Sequence, residues 1–136
     1  LECRAMSHNI PGDLRYTETH EWVRPVGDAW AVGITDHAVK SLTDITFLDL
    51  ADAGKAVAVG DSFGEVESVK AVAALNAPVA GTITETNRAL PGRLEDLAGD
   101  PYGKGWLVKI KPSNPAAAKG LLDAAAYLAI VEKAGH

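Results

Sequence analysis

Apolar and polar residues alternate with a period of two in short runs up to Lys111, and that alternation predicts strands. Arg15 to Arg24 and Asp28 to Ile34 read as a strand pair turned at Pro25-Val26-Gly27-Asp28. Ile45 to Leu50 is a further strand with an ambiguous core face: Ile45, Phe47 and Asp49 alternate with Thr46, Leu48 and Leu50. Ala51 to Lys55 is a turn, and Val57-Ala58-Val59 leads into the turn pair Gly60-Asp61. Phe63 to Val69 sets Phe63, Glu65, Glu67 and Val69 against Gly64, Val66 and Ser68, the pattern of a strand with one wet face. Val72 to Leu75 is also compatible with helix, alanine being a good helix former, but Asn76, Pro78 and Gly81 stop any long one. Val79 to Thr86 is rich in β-branched residues and reads as a strand, and Trp106 to Lys111 is a last strand stopped by Pro112.

Helix enters in three places. Asp36 to Ser41 makes one turn with Thr35 or Asp36 as N-cap, and Leu94 to Leu97 another inside the irregular stretch Asn87 to Tyr102. A C-terminal helical region covers about residues 115–133, as one helix or as two pieces broken at Gly120. Leu121, Leu122, Ala125, Leu128 and Val131 fall near one face of it. Many short strands followed by helix predict a mainly β fold, a compact barrel or sandwich with a docked C-terminal α-helix. A faint internal echo supports two similar halves: Phe63-Gly64-Glu65-Val66-Glu67-Ser68 and Ala80-Gly81-Thr82-Ile83-Thr84-Glu85 share one pattern, with Lys70 between them.

The length of 136 residues bounds this to one domain with a modest core. Residues 1–5 read as an appended leader with Met6 as the native start, so the domain is 6–136. The single cysteine, Cys3, falls in that leader, which leaves the domain no disulfide, thiol nucleophile or thiolate ligand. The net charge is −5 with no Lys/Arg cluster, which argues against nucleic acid or an anionic membrane as partner. No apolar run approaches the roughly 20 residues that span a bilayer. No phosphate-cradling loop is present, since Gly60 to Gly64 lacks the Lys-Ser/Thr ending. His20-Glu21 suggests an acid–base pair or metal ligands, but a lone His-Glu dipeptide is more often structural.

Lys70 is the residue that stands out. It lies in Gly64-Glu65-Val66-Glu67-Ser68-Val69-Lys70-Ala71, at the expected reversal between two alternating segments. A lysine at a hairpin tip is ordinarily a solvated charge. Here Val69 and Ala71 flank it with small apolar groups and leave the amine unpaired by adjacent sequence, while Glu65 and Glu67 offer charge for a modifying enzyme to read. An amine held clear of the domain on a four-carbon stem suits covalent attachment.

That octapeptide, with Ala77-Pro78-Val79-Ala80-Gly81, resembles the lipoyl-attachment motif of glycine cleavage system H proteins. Leu14 to Trp22, Val32 to Ala38 and Asp100 to Leu107 resemble three more motifs of that family, in order, over about Leu14 to Glu132. Lipoyl domains of 2-oxo acid dehydrogenases usually carry Asp before the lysine, and biotin carriers Met on both sides; Val69 and Ala71 match neither.

The resemblance implies a lipoyl/biotinyl-type flattened β-barrel (a barrel-sandwich hybrid) and lipoic acid in amide linkage to Lys70. It implies a carrier that catalyses nothing itself. Its arm takes an aminomethyl group from glycine decarboxylase (the P protein), gives it to an aminomethyltransferase (the T protein), and is reoxidised by dihydrolipoyl dehydrogenase (the L protein). These complexes are transient, in a bacterial cytoplasm or, for a eukaryote, the mitochondrial matrix. A lipoate ligase or a lipoyl/octanoyl transferase would modify the lysine, reading Glu67, Ser68, Val69 and Ala71. A lipoyl/octanoyl relay and an unmodified interaction module on the same fold are the rival readings.

In the family the loaded arm folds back into a cleft where a hydroxyl and two acids hold the amine. The matching positions are Thr19, Glu21 and Ala74, and the last departs from the usual acid. Ala74 accepts no hydrogen bond, so the resemblance implies a looser hold on the cargo. The stretch Asn87 to Pro101 also lacks the Asn that usually precedes Asp-Pro-Tyr, which predicts an altered loop there.

Overall fold

Strands dominate the computed structural model, which describes residues 10–42, 44–114 and 120–134. Strands β1 (Arg15–Tyr16), β2 (Glu21–Val26) and β3 (Ala29–Ile34) lead to helix α1 (Asp36–Leu42). Then come β4 (Ile45–Leu50), β5 (Ala56–Val57), β6 (Ser62–Ser68), β7 (Val72–Asn76) and β8 (Gly81–Thr86). A 3₁₀ turn (Leu90–Gly92), helix α2 (Leu94–Gly99), strand β9 (Val108–Pro112) and helix α3 (Ala124–Ala134) complete the order. Two antiparallel sheets result, one of six strands ordered β1-β2-β3-β9-β8-β5 and one of three ordered β4-β6-β7. They do not close on each other, which makes the mainly β fold a flattened barrel with a C-terminal helix.

One apolar core joins the sheets. Val32, Ile83 and Ile110 of the large sheet pack in it with Leu48, Val66 and Leu75 of the small one, and Phe63 is fully enclosed. The opposite face of β1 to β3 carries a second cluster of Tyr16, Trp22 and Ala31, covered by Tyr102 and by Tyr127 and Val131 of α3. Burying one such large apolar side chain contributes about 1.5–3 kcal/mol, so α3 is docked mainly through that Tyr127–Val131 pair.

The ambiguous alternation in β4 has a geometric cause. The register shifts between Ile45 and Phe47, so Ile45 and Leu48, three apart, both reach the core while Phe47 is left 46% exposed. A similar shift between Ser62 and Gly64 turns Phe63 inward, off the wet face that strict alternation assigns it. Such bulges invert a period-two reading without any change in composition.

Several expected bounds are corrected. Arg15 to Arg24 is not one strand: a tight loop at Thr17 to His20 interrupts it, with His20 in the left-handed region (φ 75°). The first hairpin turns at Gly27 and Asp28, with Pro25 and Val26 still in β2. Val72 to Leu75 is strand, β7, and β8 starts only at Gly81. Strand β9 begins at Val108 and keeps Pro112, which sits opposite Gly81. Helix α3 starts at Ala124, where the Asp123 carboxylate accepts the Ala126 N–H at 2.8 Å. Its fully buried residues are Tyr127 and Val131, and Ala125 is exposed. The leader, Met6 and the segment 115–119 lie outside the described residues. No described helix is long and apolar enough to cross a membrane.

Candidate functional site

Lys70 and Val69 form the tip of the β6–β7 hairpin. Ser68 N–H donates to Ala71 O at 2.8 Å, and Ala71 N–H turns to the Ser68 hydroxyl at 3.2 Å. Two-residue hairpins usually rely on positive φ at a central residue, but neither Val69 nor Lys70 has it. The Ser68 hydroxyl takes over as acceptor, and Val69 N–H is anchored on Asp44 O at 3.2 Å. Ser68, 8% exposed, therefore shapes the turn from beneath, while Val69 (76%) and Lys70 stand out in solvent. Across the small sheet Phe47, Glu67 and Val72 form one row beside the tip, with Phe47 and Val72 exposed.

Strand β7 runs from this tip along a cavity of about 160 Å³. Ala73, Ala74 and Leu75 of β7 with Val66 of β6 make one wall; Ala38, Ser41 and Leu42 of α1 make the second. Thr19, His20 and Glu21 make the third. The three residues singled out for a cargo cleft, Thr19, Glu21 and Ala74, thus line one space. Ala73 and Ala74 lie three and four residues from Lys70, about 10–13 Å along a strand, within reach of a lysine lengthened by an acyl chain. A larger groove of about 520 Å³ behind Thr17 and Thr19 starts at Asn76. That is about 20 Å from Lys70 on the same scale, too far to serve the tip as well.

Glu21 is the chemical centre of the cavity. It is 1% exposed, yet its carboxylate is well supplied with donors. Oε1 accepts the Thr17 hydroxyl at 2.7 Å and the Thr19 hydroxyl, and Oε2 accepts Asn76 N–H at 3.3 Å. Burial pushes the carboxyl above its ordinary range, and the hydrogen bonds from Thr19, Thr17 and Asn76 pull it back. The loop serves this arrangement. Thr17 N–H donates to Glu21 O, His20 N–H to Thr17 O, and Glu21 N–H to the Thr17 hydroxyl. The left-handed His20 closes the loop and throws both threonine hydroxyls to one side. A carboxylate on the wall of a mostly apolar pocket is suited to an ammonium group.

Behind the loop lies Tyr127, which sequence reasoning missed. Its hydroxyl is 2.8 Å from His20 Nδ1 and 2.6 Å from the Thr35 hydroxyl, and its ring stacks on Tyr16 at 4.7 Å. The one available signal was that Tyr127 is the lone aromatic residue after Trp106. Burial, then the neighbouring His37 ring at 4.9 Å, pushes the His20 imidazole below its ordinary range. Among the described residues no group of three His, Cys, Asp or Glu side chains could hold a metal. His20 and Glu21 do not act as a pair, because one faces Tyr127 and the other the threonines.

The motif segments converge here. Trp22 Nε1–H is shared between Ile34 O and Pro101 O, each at 3.0 Å, and Asp36 N–H donates to the Tyr102 hydroxyl at 3.0 Å. Gly33 has no room for a side chain, since a Cβ there would lie 2.6 Å from the Trp22 ring.

A family model described as glycine cleavage H-protein matches residues 14–134. Among curated relatives, a glycine cleavage system H protein of Myxococcus xanthus is 45% identical over 127 residues, 93% of this chain and 98% of its own length. One from a Cyanothece species is 49% identical over the same shares. A crystal structure of such a protein from Mycobacterium marinum superposes with a TM-score of 0.80 at 40% identity, over 93% of this chain and all of that one.

Proposed function

We propose, from the premise that this chain belongs to the glycine cleavage H-protein family, that it is the lipoylated carrier of that system, with lipoic acid in amide linkage on Lys70. The reading gives it no catalytic residue. Its cargo is the aminomethyl group of glycine, passed from glycine decarboxylase to the aminomethyltransferase, and its arm is reoxidised by dihydrolipoyl dehydrogenase. A lipoate ligase or a lipoyl/octanoyl transferase installs the arm, meeting the exposed Val69 and Ala71 and the half-buried Glu67.

The observation that carries this reading is one strand with two ends. Lys70 projects at the start of β7, and the same strand supplies Ala73, Ala74 and Leu75 to a cavity with Glu21 opposite. When attached, the lipoyl group supplies a disulfide that opens to take up the aminomethyl unit. The chain's own part is physical. The hairpin tip holds the anchor away from competing charges, and among the described residues Lys70 forms no ion pair. The apolar walls exclude water from a cargo that water would hydrolyse. Glu21, oriented by Thr17 and Thr19, offers its anionic oxygen to the cargo amine. Tethering replaces repeated bimolecular encounters with a high local concentration at each partner.

The test is exchange of labelled carbon dioxide into glycine by glycine decarboxylase. Chain co-produced with a lipoate ligase is expected to support exchange, and Lys70→Arg treated identically to fall to the background without carrier. Equal support from Lys70→Arg would overturn the reading.

A further inference from the structure

We propose that Tyr127 is a positioning residue for the cargo cavity: its one hydroxyl ties two of the cavity's three walls together. This rests on the cargo reading above, but reaches a part of the chain, the C-terminal helix, to which that reading gives no role.

The two partners of the hydroxyl belong to different walls. His20 lies between Thr19 and Glu21 in the loop wall, and its Nδ1 is 2.8 Å from the Tyr127 oxygen. Thr35 precedes α1, and its hydroxyl, 2.6 Å from the Tyr127 oxygen, also accepts the Ala38 N–H at 3.2 Å as the helix N-cap. The α1 wall consists of Ala38, Ser41 and Leu42, so the cap residue sits at the root of that wall. With His20 neutral, the Tyr127 hydroxyl can donate to one of its two partners and accept from the other in either imidazole tautomer. A backbone bond, Thr35 N–H to His20 O at 3.0 Å, holds the same junction.

Tyr127 itself has little freedom. It is fully buried, stacked on Tyr16, and edge-on to His20 with 5.7 Å between centroids. Helix α3 is further fixed by the reciprocal pair Tyr16 N–H to Leu122 O and Leu122 N–H to Tyr16 O, at 2.8 and 2.9 Å. A rigid strut thus meets the junction of two walls. The strand wall is tied to the loop from the other side, by Asn76 N–H at the end of β7 to Glu21 Oε2. Releasing the strut is expected to let the loop and α1 part, admit water to Glu21 and loosen the cavity without touching Lys70.

The test uses the full chain with Tyr127→Phe, which removes the oxygen but keeps the stack on Tyr16. Val131→Ala, in the same helix and cluster but off the cavity, controls for weakened docking. In the unmodified chain, carbon-detected NMR follows the Glu21 carboxyl titration and the Asn76 amide. Tyr127→Phe is expected to lower the Glu21 midpoint and shift the Asn76 amide, while Val131→Ala leaves both in place. Thr35→Ser, which keeps the hydroxyl, is expected to behave as wild type, and Thr35→Val as Tyr127→Phe. In loaded protein, Tyr127→Phe is expected to speed loss of the aminomethyl group severalfold. A Glu21 titration identical in wild type and Tyr127→Phe would overturn the proposal. So would faster release in Glu21→Gln with none in Tyr127→Phe. If the titration moves but neither substitution alters release, the coupling stands and the cargo reading falls.

Discussion

Glu21 shows what burial of one carboxylate does to the rest of the site. Its folded pKa lies above the ordinary 4.5, so the stability it contributes is present below that value and lost as pH rises through the folded pKa. The stability difference between wild type and Glu21→Gln is therefore expected to move in the variant's favour as pH rises past 4.5. Chemical denaturation at a series of pH values measures this, and a flat difference would show that burial leaves the carboxyl unshifted. His20 has the opposite sign. Its folded pKa is depressed, so its contribution is present above the usual 6.5 and is lost as pH falls below that. Ala74 faces the same cavity and brings no charge of its own. Ala74→Asp adds a second anion there; a partly exposed charge pair contributes about 1 kcal/mol, or roughly fivefold slower loss of the aminomethyl group. An unchanged release rate in quenched-flow assay would remove that position from the cargo site. These residues were legible in sequence only through motif resemblance. No periodicity marks Glu21 as buried, because its burial depends on Thr17 and Thr19 folding back over it.

Among the elements, the β6–β7 hairpin decides where the lysine stands. Ser68→Ala removes the acceptor for Ala71 N–H and is expected to cost about 0.5–1.5 kcal/mol of stability. The midpoint of urea unfolding checks this, and no change would mean that the Ser68 hydroxyl is dispensable to the turn. The faint echo between the two Gly-led segments has a physical basis as well. A Cβ on Gly64 would collide with the Asp49 backbone oxygen, and one on Gly81 with that of Lys111. Both glycines lie near the start of a strand pressed against a neighbour's backbone, Gly64 third in β6 and Gly81 first in β8, on either side of the hairpin. Gly64→Ala must displace β4 and is expected to cost about 1–3 kcal/mol, read as a lowered Tm; an unchanged Tm would contradict the close approach. The strands themselves were readable from alternation. Their bulges were not, since a register shift depends on the partner strand: the one in β4 leaves the face of Phe47 ambiguous in the sequence, and the one in β6 turns Phe63 off the face its alternation implies.

For the molecule as a whole, segments far apart in sequence meet at one indole. Trp22 holds both Ile34 and Pro101, and Arg24 reaches Tyr102 O at 2.8 Å while lying 5.0 Å over the Trp22 ring. Trp22→Phe leaves two buried carbonyls without their donor and opens a void. The expected loss is about 2–4 kcal/mol by calorimetry, and a loss under half a kcal/mol would show that the convergence is incidental. The order of strands and helices, and a mainly β class, were legible because they follow from local pattern. The docking of α3 was not. Its buried face is carried by Tyr127 and Val131, while the leucine-rich stretch before it leads into a bridge with Tyr16. Of the residues on the expected aliphatic face only Val131 is fully buried, with Leu121 and Leu122 partly so, because the decisive contact is an aromatic stack of Tyr127 with a hydroxyl behind it.

The central claim, that Lys70 is the anchor of a lipoyl arm, is tested most directly by intact mass. The chain and its Lys70→Arg variant are each co-produced with a lipoate ligase and lipoate. One lipoyl mass increment is expected on the wild type and none on Lys70→Arg. An increment that persists in Lys70→Arg, or is absent from both proteins, would contradict the claim.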